Sequence, residues 1–574
     1  MQYELKLMDT VAGVGCFAAL PAPNLSLNQI LDHMRAAPYD DFMHRFAVEQ
    51  LGKLRTRKVE QFLSTVLQDQ RKDPVLSALL GEACLSHQRL EKLRPSLDGL
   101  DMTMAARNTP GILLRWHLMP QREQHVAWSR HFAANADTHA PLPAPDRAGP
   151  DHEGLDLPYD EEELRAVLSW TAAQDIRRRL TDTLPPAQER QPALETALNA
   201  LRRLQNAGAF ATPEMQHKAC LSPFARLRHW GFRIVVRNGR NEHSFKGLQT
   251  SYGRGMTEEA ARASYAMEVA ERFSSYASIG KNGIDGLRGN GALVRGTLDD
   301  LREQGALDLM ALRSEVPYQG QQLHWMAAER VSLHGVEPAL VPAQLAYLFC
   351  NVDEQNLFGA LGSTGLASGN TTEEARLSAL CEVLERDADA VHPLNLHHCF
   401  RIRTDDPELR THLDRLEEHG IHVWFQDVTT ELGVPCYRSF VTGLRGDVNK
   451  GLGCGLSGPR ALVSALTETP YPLPGPASAP TPANLPERRV EDLPDLSTGS
   501  AAGDLQVLEQ TLVANNLSPH YADMTRANLE IPVCRAIVPG LELLNEFDVF
   551  SNLCPRLFRN YLLLLKDESS QLSA

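Results

Sequence analysis

Ser264-Tyr-Ala-Met-Glu268-Val-Ala-Glu271-Arg272 returns later in the same chain as Ser378-Ala-Leu-Cys-Glu382-Val-Leu-Glu385-Arg386, so that S-x-x-x-E-x-x-E-R occurs twice, 114 positions apart. Agreement at every polar position of the pattern points to a duplicated unit. Each copy is introduced by Thr-Glu-Glu, at Thr257-Glu258-Glu259 and, one residue closer to its serine, at Thr372-Glu373-Glu374. Ser464-Ala-Leu-Thr-Glu468 is a third, shorter echo.

Positions i, i+4 and i+7 share one face of an α-helix, so Ser264, Glu268 and Glu271 form one polar stripe and Ser378, Glu382 and Glu385 another. Tyr265, Met267, Val269 and Phe273 surround the first stripe, and Leu377, Leu380, Val383 and Leu384 the second. A helix that is apolar nearly all round is a buried helix, which turns both stripes toward an interior cleft. One such face alone reads as solvated surface; two matching copies with apolar flanks do not. Ionised carboxylates gathered out of water need a cation or a donor. Mg2+ is the hard cation that takes carboxylate oxygens and shares them with phosphates.

The glycine-rich lead-ins extend the pattern. Gly253-Arg254-Gly255-Met256-Thr257 runs into the first stripe, and Gly365-Leu-Ala-Ser-Gly369-Asn370-Thr371 into the second. Together they resemble the two nucleotide-binding signatures of the YcaO family, over roughly Leu221 to Tyr561. Members of that family phosphorylate a peptide amide oxygen with ATP, so that a thiol, hydroxyl, amine or sulfide adds to the carbon. The resemblance implies an α/β fold of internally duplicated mixed sheets with packed helices, and ATP and Mg2+ as cofactors. By similarity Glu268, Glu374, Glu382 and Glu385 are magnesium ligands, while Ser264, Glu271, Asn370 and Arg386 contact the nucleotide. Arg254 either meets phosphate or faces solvent, and Arg272 either pairs with a neighbouring carboxylate or reaches ATP.

The third element departs from the family. Glu468 lines the cleft as a further metal ligand, but the chain continues Thr469-Pro470-Tyr471-Pro472-Leu473-Pro474, and Pro470 ends the helix early. The C-terminal Asp567-Glu-Ser-Ser-Gln-Leu-Ser-Ala lacks the alternating prolines common in relatives that cyclise peptides.

Composition bounds the rest. A chain of 574 residues holds several domains, and its formal charge of −15 argues against a broad nucleic-acid surface. The ten cysteines stand singly, without a C-x-x-C pair, which reads as reduced thiols in a cytoplasmic protein. No run is long and apolar enough to span a membrane. His397-His398-Cys399 is poor metal spacing, and Cys381 reads as a small apolar residue of its helix.

Along the chain, residues 1–133 read as a mainly helical N-terminal domain. Its expected elements are a strand at Tyr3–Met8 and helices at 27–35, 39–54, 59–68 and 74–90. Residues 134–157 are a Pro-, Gly- and acid-rich linker, 158–215 a helical connection and 220–561 the YcaO-like domain. Within it, strands are expected at 232–237, 323–331 and 339–347, and 470–497 is a Pro-rich insertion that reads as a mobile or polyproline-like loop. A second duplication pairs Asp427-x-Thr429 before Pro435 with Asp523-x-Thr525 before Pro532.

Two functions follow. The first is an ATP- and Mg2+-dependent enzyme that modifies a peptide or protein amide by cyclodehydration, thioamidation or related addition. The second is an ATP-binding accessory protein serving a partner enzyme, such as a ribosomal-protein methylthiolation system, docked on the N-terminal helical domain. A homodimer is a further expectation. The intact doubled stripe favours the first function, and the altered third motif favours the second.

Overall fold

The structure, a computed structural model, describes residues 1–8, 16–143, 156–165, 170–359, 361–543 and 546–572. Of the expected linker, 134–138 continues the helix Arg122–Thr138, and 144–155 lies outside the described residues.

The strand expected at the N-terminus is β1 (Gln2–Met8), and it has an antiparallel partner that the sequence reading missed, β2 (Cys16–Pro21). Four helices follow, at Leu27–Ala36, α1 (Asp41–Lys53), Thr56–Gln68 and Pro74–Ser86. The last was expected to reach Leu90; after Ser86 the chain tightens into a 3-10 stretch, Gln88–Gly99, that holds Pro95. Asp40 caps α1 by accepting from Met43 N–H, and the same carboxylate accepts from Tyr3 Oη at 2.6 Å, His33 Nε2 at 2.8 Å and Asn351 Nδ2 at 2.9 Å. One buried acid therefore ties the first strand, two helices and the middle of the chain together.

The centre of the molecule is a hairpin of β3 (Phe224–Asn238) and β4 (Asn241–Gly255), far longer than the expected strand at 232–237. β1 adds parallel to β4, and among the described residues the sheet runs β2-β1-β4-β3 and on to short strands at 279–280 and 283–284. Helix α2 (Glu258–Ser274), which carries the first stripe, packs on this hairpin through Tyr265, Ala266, Val269 and Ala270. A second sheet holds β5 (Leu323–Ser332) and β6 (Gly335–Pro342). The strand expected at 339–347 stops at Pro342, where the chain turns into the helical turn Ala343–Ala346; proline cannot donate to a ladder and suits a helix start. β7 (Leu366–Ser368) leads into α3 (Thr372–Val391), the helix of the second stripe. A third sheet contains β8 (Cys436–Thr442) and β9 (Val448–Cys454), which leads into α4 (Gly458–Glu468). Two strands, β10 (His520–Asp523) and β11 (Val533–Ile537), then complete the second sheet. The fold is α/β, with mixed sheets, packed helices and a mainly helical N-terminal region.

Internal repetition is deeper than the sequence motif suggested. Each stripe helix follows a strand, and the helix N-caps are Thr257, Thr371 and Ser457, which keep offsets of 114 and 200 from the first unit. Thr371, not Thr372, is thus the equivalent of Thr257. A glycine brings each strand against its helix. A Cβ on Gly253 would lie 2.3 Å from Ala261 O and 2.1 Å from Tyr265 N; on Gly453 it would lie 2.0 Å from Ala461 O and 2.7 Å from Ala465 N. In the second unit Gly369 approaches Ala375 N, as Gly255 approaches Ala261 N in the first. The other duplication is a turn. Asp427 Oδ1 accepts from Thr429 N–H and Thr429 Oγ1 from Cys436 N–H, and Asp523, Thr525 and Val533 repeat both bonds.

The Pro-rich segment corrects the expectation of a mobile loop. Tyr471, Leu473 and Leu485 are buried, Leu473 N–H donates to Lys218 O, and Glu487–Arg489 pairs as a strand with Cys399–Arg403. Its apolar residues are spaced to reach the core under α4.

Candidate functional site

The three glycine-strand-helix units converge on a cavity of about 630 Å3. α2 contributes Ser264, Glu268, Glu271 and Arg272; α3 contributes Ser378, Glu382, Glu385 and Arg386; α4 contributes Arg460, Ser464 and Glu468; and β4 contributes Arg254. The structure thus brings together nine of the eleven residues singled out from the sequence. Asn370 and Glu374 are the exceptions and are not among the lining residues. Glu374 Oε2 accepts from Asn370 N–H at 2.9 Å and from Asn370 Nδ2 at 3.0 Å, which holds the turn ahead of α3.

The ion pairs here are long. Arg272 Nε stands 3.7 Å from Glu268 and 3.4 Å from Glu271, Arg386 3.9 Å from Glu382, and Arg254 3.8 Å from Glu468. Arg272 thus stands beside two carboxylates and Arg254 beside one. Glu268 is anchored by a backbone donor, its Oε2 accepting from Tyr252 N–H at 3.0 Å.

Burial raises the pKa of Glu268 and Glu382 despite the nearby arginines. Glu271 is held well above the ordinary carboxylate range by burial, with Glu382 adding to it; Glu385 is likewise held up by burial and by Glu468. Burial works against the charge on Arg272 and Arg386, but the surrounding glutamates outweigh it and raise both. Burial, ahead of repulsion among the acids, is what holds these carboxylates up.

Sequence reasoning missed Arg190, Arg460 and the loop at Ser497, which line the cavity, and Arg535, which lies behind the lining and interacts electrostatically with Glu382 and Glu271. Arg535 is 2 % exposed on β11, its Nη2 donating to Gly362 O at 2.8 Å, and burial lowers its pKa to about 10. Its signal was the D-x-T turn: Arg438 and Arg535 each stand three residues after the closing proline, on β8 and β11. Arg438 is buried too, bonded to Asp389 Oδ1 at 2.8 Å.

The donor set fits a magnesium-bound polyphosphate. The carboxylates are hard oxygen donors, and the raised pKa values of Glu268, Glu271, Glu382 and Glu385 are what a divalent cation would relieve. Arg386 Nε is buried without a hydrogen-bond partner, as a phosphate-facing donor would be before its ligand arrives. Among the described residues no three His, Cys, Asp or Glu side chains converge into a closed metal cage. Mg2+ needs none, because it is ordinarily held by one or two carboxylates with waters and phosphate oxygens.

Glycine-ended strands, helix-borne carboxylates and arginines around one recess define a nucleotide- and divalent-cation-binding class of protein. The family model described as YcaO cyclodehydratase, ATP- and Mg2+-binding, matches residues 252–470, and the chain carries a YcaO-family region there. An uncharacterized protein of Methanothermobacter thermautotrophicus is 29% identical over 333 residues, covering 51% of this chain and 81% of that one. An uncharacterized protein in the tfuA 3′ region of Rhizobium leguminosarum bv. trifolii is 28% identical over 248 residues, 40% of this chain and 55% of that one. Among solved structures, a heterocyclase in complex with substrate and cofactor aligns with TM-score 0.47 at 19% identity, over 65% of this chain and 57% of that one. YcaO from Methanopyrus kandleri bound with AMPPCP and Mg2+ aligns with TM-score 0.42 at 22% identity, over 61% and 91%. Among the described residues no helix is long and apolar enough to cross a membrane.

Proposed function

We propose that the protein uses ATP and Mg2+ to activate a backbone amide of a peptide or protein. The observation that carries this reading is the meeting of three repeated units in one cavity, with five glutamates, paired arginines and the unpartnered Nε–H of Arg386. Bound there, Mg-ATP would supply a phosphoryl group to the amide oxygen, making that oxygen a leaving group for an incoming thiol, hydroxyl, amine or sulfide. The chain's own residues have three tasks. Glu268, Glu382, Glu385 and Glu468 would offer oxygens to Mg2+, one or two carboxylates to an ion, with phosphate oxygens and waters completing its shell. Arg272, Arg386 and Arg254 would exchange their long carboxylate pairs for phosphate oxygens, and Ser264 and Ser378 would donate hydroxyl hydrogen bonds from the two stripes.

A second reading is supported by the third unit. α4 stops at Glu468, so the positions of Glu271 and Arg272 fall on Tyr471 and Pro472 in that copy. An incomplete third unit suits a protein that binds ATP and turns it over slowly on behalf of a partner enzyme. Mg2+-dependent ATP hydrolysis, with ADP and AMP separated, tests both readings against Glu382→Gln. Hydrolysis lost in the variant supports the enzyme. ATP binding without hydrolysis, weakened in the variant, supports the accessory protein. No ATP binding by the wild-type chain refutes both.

A further inference from the structure

Cys454 ends β9 at the nucleotide cavity, and Cys381 of α3 lines the same cavity. Directly across the sheet from Cys454, on β8, stands Cys436. All three are free thiols. Cys454 is half-buried and Cys436 only 1 % exposed, so one thiol of the cross-strand pair meets the cavity and the other lies behind it. A buried cysteine by itself is a small apolar residue. The register of this pair is what sets it apart.

Gly455 N–H donates to Pro435 O at 3.1 Å, which makes residues 435 and 455 a hydrogen-bonded pair and their neighbours Cys436 and Cys454 a non-hydrogen-bonded one. The backbone of Cys436 agrees: its N–H donates to Thr429 Oγ1 at 3.2 Å and its carbonyl accepts from Val428 N–H at 3.0 Å, both away from β9. In such a pair the Cα atoms stand about 4.5 Å apart and the side chains leave one face, within the roughly 4.4–6.8 Å that a disulfide spans. The thiols already touch. Cys454 packs against the cluster that holds Cys436, and its contact with Cys436, together with burial, holds its thiol well above the ordinary range. At Cys436 the same contact pulls down while burial pushes up and wins, so Cys454 is the donor thiol and Cys436 the acceptor.

The opposite face of β9 has no slack. A Cβ on Gly451 would lie 2.2 Å from Ala465 O, and one on Gly453 2.0 Å from Ala461 O. Backbone seated on backbone cannot absorb a shift of β9, so movement at Cys454 passes to Ser457, the cap of α4, and to the cavity residues Arg460, Ser464 and Glu468 that α4 carries.

We propose that Cys436 and Cys454 are a thiol modification site, closing into a disulfide that shifts α4 and lowers the affinity of the cavity for Mg-ATP. This rests on the nucleotide reading above. The oxidant is a low-molecular-weight disulfide, RSSR. It exchanges with Cys454 from the cavity side, giving a mixed disulfide and one RSH; Cys436 then attacks the Cys454 sulfur, the internal bond forms and the second RSH leaves. Two electrons and two protons pass from the pair to RSSR, and a dithiol reverses both steps. Closure brings the sulfurs from contact to about 2.05 Å and draws the end of β9 toward β8.

The reduced protein is equilibrated with hydroxyethyl disulfide at about pH 8.5, where thiols held up by burial exchange faster, then alkylated and digested with trypsin. Arg438, Arg445 and Lys450 lie between the two cysteines, so only a disulfide joins their peptides. A Cys436–Cys454 peptide is expected, with Mg-ATP binding at least tenfold weaker by calorimetry and faster hydrogen exchange in α4, all reversed by dithiothreitol. Mg-ATP binding by Cys454→Ala should not respond to the oxidant. The wild-type measurements stand without that variant, should it fail to fold. A mixed disulfide left on Cys454, a Cys381–Cys454 bond, or equal Mg-ATP binding and equal α4 exchange in the two redox states overturns the proposal, as does an oxidant response in Cys454→Ala. If the reduced wild-type protein binds no Mg-ATP, the proposed function is refuted, while the peptide map and α4 exchange still decide whether the pair is a switch.

Discussion

Gly453→Ala tests the claim that glycine contact sets the position of the cleft helices. An added Cβ would sit 2.0 Å from Ala461 O, 2.7 Å from Ala465 N and 2.9 Å from Ser464 Cβ. Carbon and oxygen normally approach to about 3.3 Å, so α4 must retreat from β9 by about 1 Å. Two of the three obstructing atoms are helix backbone, which no rotamer change can relieve. Overpacking of this kind costs about 1–3 kcal/mol, and the rigid neighbours place this case near the upper end. A local loss of about 3 kcal/mol corresponds to roughly 100-fold faster amide exchange in α4, measured by hydrogen–deuterium exchange under conditions where opening is at equilibrium. Because α4 carries Ser464 and Glu468, Mg-ATP affinity should fall with it. Gly455→Ala is the matched control for exchange, since a Cβ there meets nothing within 4 Å. Wild-type exchange in Gly453→Ala, or an equal loss in Gly455→Ala, would refute the reasoning.

Three further outcomes follow from buried groups outside the cleft. Burial raises Glu315, 4 % exposed, to about 7, above its unfolded value; stability is therefore fully present below the unfolded pKa of about 4.5 and lost as pH rises through 7. Glu315→Gln keeps an acceptor for Gly359 N–H, 2.7 Å away in the wild type, and should gain roughly 3 kcal/mol at pH 8 and nothing at pH 4, read as thermal midpoints at both values. Arg438→Met leaves the buried Asp389 only Lys450 of the two cations that hold it far below the ordinary range against its burial; a loss of about 3 kcal/mol, the lower end for a broken buried pair, is expected by denaturant titration, and a loss under 1 kcal/mol would contradict it. Thr525→Val deprives Val533 N–H of its acceptor at 3.2 Å and should cost about 1–3 kcal/mol, seen as faster exchange of that amide.

The cleft was legible because its chemistry is periodic. Glutamate at i+4 and i+7 from a serine can only be a helix face, and its repetition at a fixed offset carried the reading without any knowledge of the sheets. Asn370 and Glu374 came from the family resemblance and not from the period: Glu374 sits one turn before the stripe, and its carboxylate accepts from the N–H of Asn370 in the turn ahead of α3. Arg535 escaped because strands hide function better than helices: one polar residue in the apolar run Val533–Ile537 carries no period. β2 escaped for a different reason. Phe17-Ala-Ala-Leu is too short and too small to signal a strand, and its strand character comes from pairing with β1. Ala339–Tyr347 was misread because its apolar content satisfied a strand while Pro342, the residue that decides the turn, was passed over.

The incomplete third unit is a consequence of packing, and a substitution can show it. With an offset of 200 positions, Tyr471 stands where Glu271 stands in the first unit, but α4 has already ended at Glu468 and Tyr471 is 4 % exposed. Its ring joins the core with Leu221, Phe400 and Leu466, and its hydroxyl donates to Pro476 O at 3.0 Å. The residue that could have been a sixth carboxylate anchors the Pro-rich segment instead. A further acid beside Glu385 would add to a crowding that Glu468 already makes unfavourable. Tyr471→Glu therefore should not complete the unit. The carboxylate would enter an apolar core without a partner, at a cost of several kcal/mol, and protease sensitivity should rise across 470–486. If Tyr471→Glu instead folds normally and binds Mg-ATP more tightly, the third helix can extend into the cleft and its early end is not fixed by the core.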